Sequence, residues 1–333
     1  MDTSGAVKKI LCVRLSSLGD VVLSTAALES QALAGKEIHF LTGIENQDWL
    51  RGHPRIHTLW TFDKNLGFQG WVSLWRKLDE EGFEVIYDLH QSLRTRAAHL
   101  LLKSLGSQAR WVSLSKPYVQ RVGLFTLKRY WPGKITPWRE AFAKLTGGSG
   151  EEKPNFKYLI GTTLPAWPEI SKPRLAVMPS SKWLSKTWPT ANYVKLIRTL
   201  TPEFEVVIFG TAQDSASREL CRQLDSYSIP HRKGVGRWNV RETVQALSRC
   251  ERLLSGDTGL VHVAESIGVP VTVLFGPTQP SLGFAPFLEK SRSVTRNLGC
   301  SPCSKDGRHC YRLGDPYACL MKLEPEQVKE ALR

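Results

Sequence analysis

One pattern limits how this chain can fold more than any other: short β-branched apolar runs alternate with amphipathic helical stretches, and the alternation occurs twice. In the first pass, strands are expected at 9–15, 37–41, 58–62, 85–89 and 110–114, with helices near 21–34, 70–78 and 93–105. A stretch rich in Pro, Gly and Lys follows at 146–172, the composition of an interdomain linker. The second pass predicts strands at 174–178, 205–209, 252–255 and 271–275, with helices at 190–200, 214–224, 240–248 and 259–267. Such alternation is the sequence form of a parallel sheet covered by helices on both faces. At roughly 150 residues per domain, 333 residues divide into two such domains. The expected division is 1–165 and 166–333, with the final helix either completing the second domain or packing back on the first. Open α/β sheets bind ligands beyond the carboxyl ends of their strands, so two facing sheets would place a cleft between them.

Charge narrows the class of partner. Lys and Arg number 45 against 31 Asp and Glu, a formal net charge of +14, which favours polyanionic ligands. Ten of these basic residues, and no acid, fall within 89–139: Arg94, Arg96, Lys103, Arg110, Lys116, Arg121, Lys128, Arg129, Lys134 and Arg139. Trp111, Tyr118, Phe125, Tyr130, Trp131 and Trp138 are interleaved with them. Basic residues among aromatics suit anionic lipid headgroups as well as nucleic acid. No secretory signal is read at the start, because Arg14 and Asp20 interrupt the apolar run, so a cytoplasmic protein is expected. The longest uncharged run, 266–288, contains four prolines and reads as helix end, strand and loop rather than a membrane span.

Three segments at strand ends carry chemistry. Ser16-Ser17-Leu18-Gly19-Asp20 leaves the first strand; Asp20 directly before a helix is either an N-cap or a general base for a hydroxyl. Pro179-Ser180-Ser181-Lys182-Trp183-Leu184-Ser185-Lys186 is either a solvated basic loop or a phosphate cradle, with Lys186 as the point charge and the serines as donors. Ser255-Gly256-Asp257-Thr258-Gly259-Leu260-Val261-His262 runs from strand into helix and suits a diphosphate at the helix amides. Asp257 is alternatively a cap, and His262 either a ligand-facing donor or a core histidine. Asp214 either reaches a ribose hydroxyl or caps its helix. Dinucleotide-binding, P-loop, zincin and D-x-D motifs are absent. Cys300, Cys303, Cys310 and Cys319 form a C-x2-C-x6-C-x8-C arrangement, read as free thiols, metal ligands or disulfide partners.

Taken together, Arg14-Leu15-Ser16-Ser17-Leu18-Gly19-Asp20-Val21, Lys182-Trp183-Leu184-Ser185-Lys186-Thr187-Trp188-Pro189, Gly256-Asp257-Thr258-Gly259-Leu260-Val261-His262-Val263-Ala264 and Leu274-Phe275-Gly276-Pro277-Thr278 resemble glycosyltransferase family 9, the ADP-heptose:lipopolysaccharide heptosyltransferases. The resemblance implies a GT-B fold of two facing Rossmann-like, doubly wound domains, acceptor-binding first and nucleotide-sugar-binding second. It implies metal-independent inverting transfer with ADP-heptose as co-substrate, Asp20 as base and Lys186 supporting the diphosphate. Donor contacts are then expected from Ser180, Ser181, Lys182, Asp214, Asp257, Thr258, Gly259 and His262, and acceptor contacts from Ser17, Gly19, Arg94, Arg96 and Arg121. The implied partner is an anionic lipid-linked saccharide met at the cytoplasmic face of the inner membrane by a monomer that binds no nucleic acid. The cysteine cluster, followed by Leu323-Glu324-Pro325, is also a family feature. The alternatives are a related transferase with another nucleotide sugar, or a non-enzymatic protein that binds polyanions or membranes.

Overall fold

The computed structural model describes residues 8–128, 133–161, 172–181, 183–303 and 305–333. The chain divides into two compact units, Met1–Lys116 with Trp138–Tyr158, and Pro117–Pro137 with Leu159–Arg333.

The first unit is built on five parallel strands: β1 (Lys9–Val13), β2 (Glu37–Gly43), β3 (Thr58–Phe62), β4 (Val85–Asp88) and β5 (Arg110–Ser113), in the order β3-β2-β1-β4-β5. In register, Val13 lies opposite both Leu41 and Asp88. The central strand is an unbroken apolar run, Ile10 to Val13, entirely buried, as expected where helices cover both faces. Strand order reverses between β1 and β4, so the carboxyl ends of these two strands border the switch point of the sheet.

The helix expected at 21–34 is shorter and starts earlier. An α-helix covers Leu18–Ser24, and two 3-10 turns follow at Thr25–Glu29 and Gln31–Leu33. Side chains take the carbonyls that would have continued it: Ser24 and Thr25 hydroxyls donate to Val21 and Val22, Thr146 donates to the Ala27 carbonyl, and Arg55 to that of Leu28. Such side-chain bonds compete with the helical ladder. The helices Gly67–Glu80 and Leu93–Ser104 pack together over the sheet, with Trp71, Trp75 and Leu78 meeting Ala98 and Leu102.

The second unit has six parallel strands: β6 (Arg174–Met178), β7 (Glu205–Ile208), β8 (Arg232–Lys233), β9 (Arg252–Gly256), β10 (Val271–Phe275) and β11 (Arg292–Thr295), ordered β11-β10-β9-β6-β7-β8. Its switch point lies between β6 and β9. The edge strands β8 and β11 were not anticipated; both are short and polar, and in β11 Val294 alone is buried. Glu205 ties β6, β7 and β8 together through Arg174 and Arg232, each at 2.7 Å. Burial raises the Glu205 carboxyl, but the two guanidiniums outweigh it and hold it below its usual range.

One expected domain assignment is corrected by the structure. The segment Pro117–Pro137 belongs to the second unit rather than the first: Leu124 and Ile135 form a small core with Leu282, and Lys128 Nζ donates to the Pro302 carbonyl at 2.7 Å. The chain then returns to the first unit, where the helix Trp138–Leu145 buries Phe142. The expected boundary at 165/166 lies outside the described residues. The final helix, Pro325–Leu332, completes the second unit: Val328 and Leu332 enter its core, beside a Trp188 indole that donates to the Leu323 carbonyl at 2.9 Å. Within 266–288 the structure has a helix end, β10 and a loop, as read from the sequence. Among the described residues no helix is long and apolar enough to cross a membrane.

Candidate active site

In the first unit the chain leaves β1 through Arg14 and turns at Ser17 into the helix Leu18–Ser24. Asp20 is therefore not the residue before the helix but its third residue, and the N-cap is Ser17. The Asp20 carboxylate reaches back in a capping box: Oδ2 accepts the Ser17 N–H at 3.3 Å and the Ser17 hydroxyl at 2.9 Å. Its other oxygen, Oδ1, pairs with Arg14 Nη2 at 2.8 Å. Arg14 is 8% exposed, donates through Nη1 to the Leu89 carbonyl at 2.6 Å and lies 5.5 Å from the Phe142 ring centroid. Burial pushes the Asp20 carboxyl upward, but the Arg14 charge and the Ser17 hydrogen bonds win, leaving it below the usual aspartate value. Asp20 is thus an ionised carboxylate, 19% exposed at its side chain. Gly19 precedes it in the helix, half-buried.

His90, not anticipated from the sequence, follows β4 across the switch point from Asp20. Burial, with Arg14 and Lys116 next in weight, pushes its pKa down to about 4, Asp20 opposing weakly. The ring is therefore neutral near pH 7. Asp88 sets its position: the buried Oδ1 accepts the backbone N–H of His90 at 3.0 Å and of Gln91 at 2.7 Å. The signal in the sequence was a His two residues beyond the end of a strand, unremarkable without the strand order. Arg94 and Arg96 are exposed in the first turn of Leu93–Ser104, with the Arg94 guanidinium 6.0 Å from the Phe62 ring centroid. Arg121, expected with them, is a buried residue of the second unit.

In the second unit, Lys186 follows β6 and Asp257 follows β9, on either side of the switch point. Lys186 Nζ lies 2.7 Å from Asp257 Oδ2, and the Thr278 hydroxyl donates to the same oxygen at 2.7 Å. A Cβ on Gly256 would stand 2.9 Å from the Lys186 carbonyl oxygen, so glycine lets the two loops approach. Asp257 is not the helix cap. Thr258 is the N-cap of Gly259–Ser266, and its hydroxyl is 3.3 Å from that of Ser255. One turn on, His262 is buried at 3% exposure, its ring 6.4 Å from Phe284.

Of the remaining expected donor residues, Asp214 beyond β7 and Ser180 beyond β6 meet at Ser217. Asp214 caps the helix Ser215–Ser226, Oδ1 accepting the Ser217 N–H at 3.2 Å. The Ser217 hydroxyl is 2.9 Å from Asp214 Oδ2 and 3.1 Å from the Ser180 hydroxyl. Ser181 is half-buried, and Lys182 lies outside the described residues. Cys300, Cys303, Cys310 and Cys319 are unbridged; burial and neighbouring thiols push Cys303 up to about 12. Among the described residues no group of three or more His, Cys, Asp or Glu is arranged to hold a metal ion.

The sequence matches the family described as "Glycosyltransferase family 9 (heptosyltransferase)" over residues 71–311. Lipopolysaccharide heptosyltransferase 2 of Salmonella typhimurium is 30% identical over 155 residues, a match that spans 44% of this chain and 42% of that protein's length. Lipopolysaccharide heptosyltransferase 1 of Pseudomonas aeruginosa is 25% identical over 97% of both chains. Among solved structures, E. coli heptosyltransferase WaaC with ADP superposes with a TM-score of 0.69 at 17% identity, covering 97% of this chain and 98% of that one. That likeness shows the fold, two Rossmann-like parallel-sheet units of the GT-B type. The family match spans most of the chain's length, and the chain belongs to glycosyltransferase family 9.

Proposed function

We propose that the protein is an inverting glycosyltransferase that moves a heptose from ADP-L-glycero-D-manno-heptose to the inner core of lipopolysaccharide, on Kdo-lipid A or on the first heptose. The observation that carries this reading is the Lys186–Asp257–Thr278 cluster at the switch point of the second sheet, in a chain of this family. A lysine there meets the diphosphate as a point charge when it exchanges Asp257 for the anion. Departure of ADP leaves negative charge beside Lys186 and the amides opening Gly259–Ser266, a form of electrostatic stabilisation. Transfer then needs no metal, and ADP-heptose is the sole co-substrate.

Asp20 is the base in this reading. The Ser17 hydroxyl at 2.9 Å marks a lone pair of Oδ2 that accepts O–H donors. An acceptor hydroxyl in that place passes its proton to Asp20 as its oxygen attacks the anomeric carbon, while the bond to the diphosphate breaks on the opposite face. His90, neutral, offers neutral hydrogen bonding beside Asp20. Arg94 and Arg96 meet the phosphates or carboxylates of the acceptor. The acid-free stretch supports a peripheral place at the cytoplasmic membrane face, with the protein acting as a monomer.

Thermal-shift titration with ADP, UDP, GDP and ADP-heptose, with and without EDTA, tests the donor assignment. Stabilisation by the ADP species alone, unchanged by chelator, is the expected result. A preference for UDP or GDP would replace the donor, and a flat response to all four would favour a protein that binds polyanions without transfer.

A further inference from the structure

We propose that the first unit docks on an anionic lipid bilayer through the outward face of the paired helices Gly67–Glu80 and Leu93–Ser104. The proposal rests on the reading above that the acceptor is lipid-linked, and it names the surface that meets the lipid.

The helix Leu93–Ser104 turns Thr95, Ala98 and Leu102 inward. Its outer face should then be polar, yet Leu93 is 82% exposed and Leu100, two turns on, is 69% exposed. On the neighbouring helix Phe68 is 76% exposed, stacked on Trp71, and Leu66 just before it is 65% exposed. Exposed apolar side chains on two helices that pack together mark an interaction surface. Both helices start at the carboxyl edge of the sheet, the edge that carries Asp20.

The charges around these side chains identify the occupant. Arg94, Arg96 and Lys103 are exposed on the same helix, and Lys64 stands beside Leu66. The acid next to Lys64 in sequence, Asp63, turns its carboxylate to the Asn65 N–H at 2.8 Å, while Asp79 and Glu80 lie at the far end of their helix. Cations ringed about leucines and a phenylalanine match a bilayer interface, where the cations meet headgroup phosphates and the apolar tips enter the acyl boundary. A nucleic-acid backbone would satisfy the cations and leave the leucines in water.

Co-sedimentation with vesicles of phosphatidylglycerol and phosphatidylcholine, compared with phosphatidylcholine alone, tests this directly and needs neither donor nor turnover. The intact protein should partition to the anionic vesicles. The double variant Phe68→Gln, Leu100→Gln should lose about tenfold of that partitioning with its melting temperature and its stabilisation by ADP unchanged. Equal partitioning of the variant and the parent overturns the proposal, as does no binding of the parent to anionic vesicles. Tight salt-sensitive binding of duplex DNA, unaltered in the variant, would assign the charges to nucleic acid instead. A dimer in solution that the variant abolishes would assign the face to a second copy. If vesicle binding holds while ADP-heptose is not turned over, the docking surface stands and the proposed transfer fails.

Discussion

Lys186 Nζ is held 2.7 Å from Asp257 Oδ2, so the cation placed to meet a diphosphate already has a carboxylate partner. Both side chains are mostly buried, at 13% and 15% exposure, which makes the pair stronger than a surface one. Binding of a diphosphate therefore exchanges one anion for another at the same nitrogen. Replacing Lys186 by Met should weaken ADP binding by about 10–100-fold, as loss of a charge-assisted contact does. Asp257→Asn, which removes the competitor, should bind ADP at least as tightly as the parent by calorimetry. Loss of ADP binding in both variants would mean that the pair holds the loop rather than the ligand.

Removing the carboxylate of Asp20 tests the base. Asp20→Asn should lower kcat by about 10²–10⁴-fold, the usual worth of a general base, with ADP affinity retained. Arg14→Met acts in a different way. It takes away the largest influence that lowers the Asp20 carboxyl, so the acid limb of the pH–rate profile should move to higher pH. The stability of the folded protein follows the same sign: a carboxylate depressed by folding contributes above its unfolded pKa and loses that contribution as pH falls through its folded value. In Arg14→Met that contribution is smaller, since only the Ser17 hydrogen bonds still lower the carboxyl, and acid unfolding monitored by circular dichroism should begin at higher pH.

Much of this architecture could be read in the residues, for definable reasons. Strands 174–178 and 271–275 have the bounds expected, because buried parallel strands are near-continuous apolar runs closed by turn residues; the edge strand 58–62 also has its expected bounds, though Phe62 alone is buried in it. Lys186 and Asp257 were legible singly as polar residues at strand ends; their pairing was not, since it depends on β6 and β9 being neighbours across 71 residues of chain. Helix caps were misplaced by one to three residues at Asp20 and Asp257, because Ser17 and Thr258 compete for the same local role. The segment Pro117–Pro137 was assigned to the wrong unit because its composition records charge, whereas its placement depends on Leu124 and Ile135 meeting Leu282.

His90 gives a prediction with the opposite sign from the usual histidine switch. Its pKa is pushed down to about 4, so the folded protein keeps it neutral while the unfolded chain takes up a proton near its ordinary value of 6.5. Between those two values the unfolded state binds more protons, and stability must fall as pH is lowered through that window. His90→Asn should flatten this dependence in denaturant titrations at pH 4.5, 5.5 and 7. In the parent, the His90 ring proton resonances should stay fixed from pH 5.5 to 8. A titration midpoint near 6.5 would show the ring to be solvated and the environment assigned to it wrong.

Glu265 sits in the helix Gly259–Ser266 at 2% exposure, and its Oε1 accepts the backbone N–H groups of Phe287 and Leu288 at 2.7 and 2.8 Å and the Ser291 hydroxyl at 2.8 Å. It anchors the loop after β10 to the helix that follows Thr258, and so holds the frame of the Lys186–Asp257–Thr278 cluster. Glu265→Ala leaves three donors without their acceptor in the interior, at a cost of about 3–5 kcal/mol. For a chain of 333 residues that cost should lower Tm by several degrees. ADP affinity measured well below the transition should change by less than about threefold, a difference under 1 kcal/mol. An unchanged Tm would show that water replaces the carboxylate; a large loss of ADP affinity at low temperature would move Glu265 from the scaffold to the site.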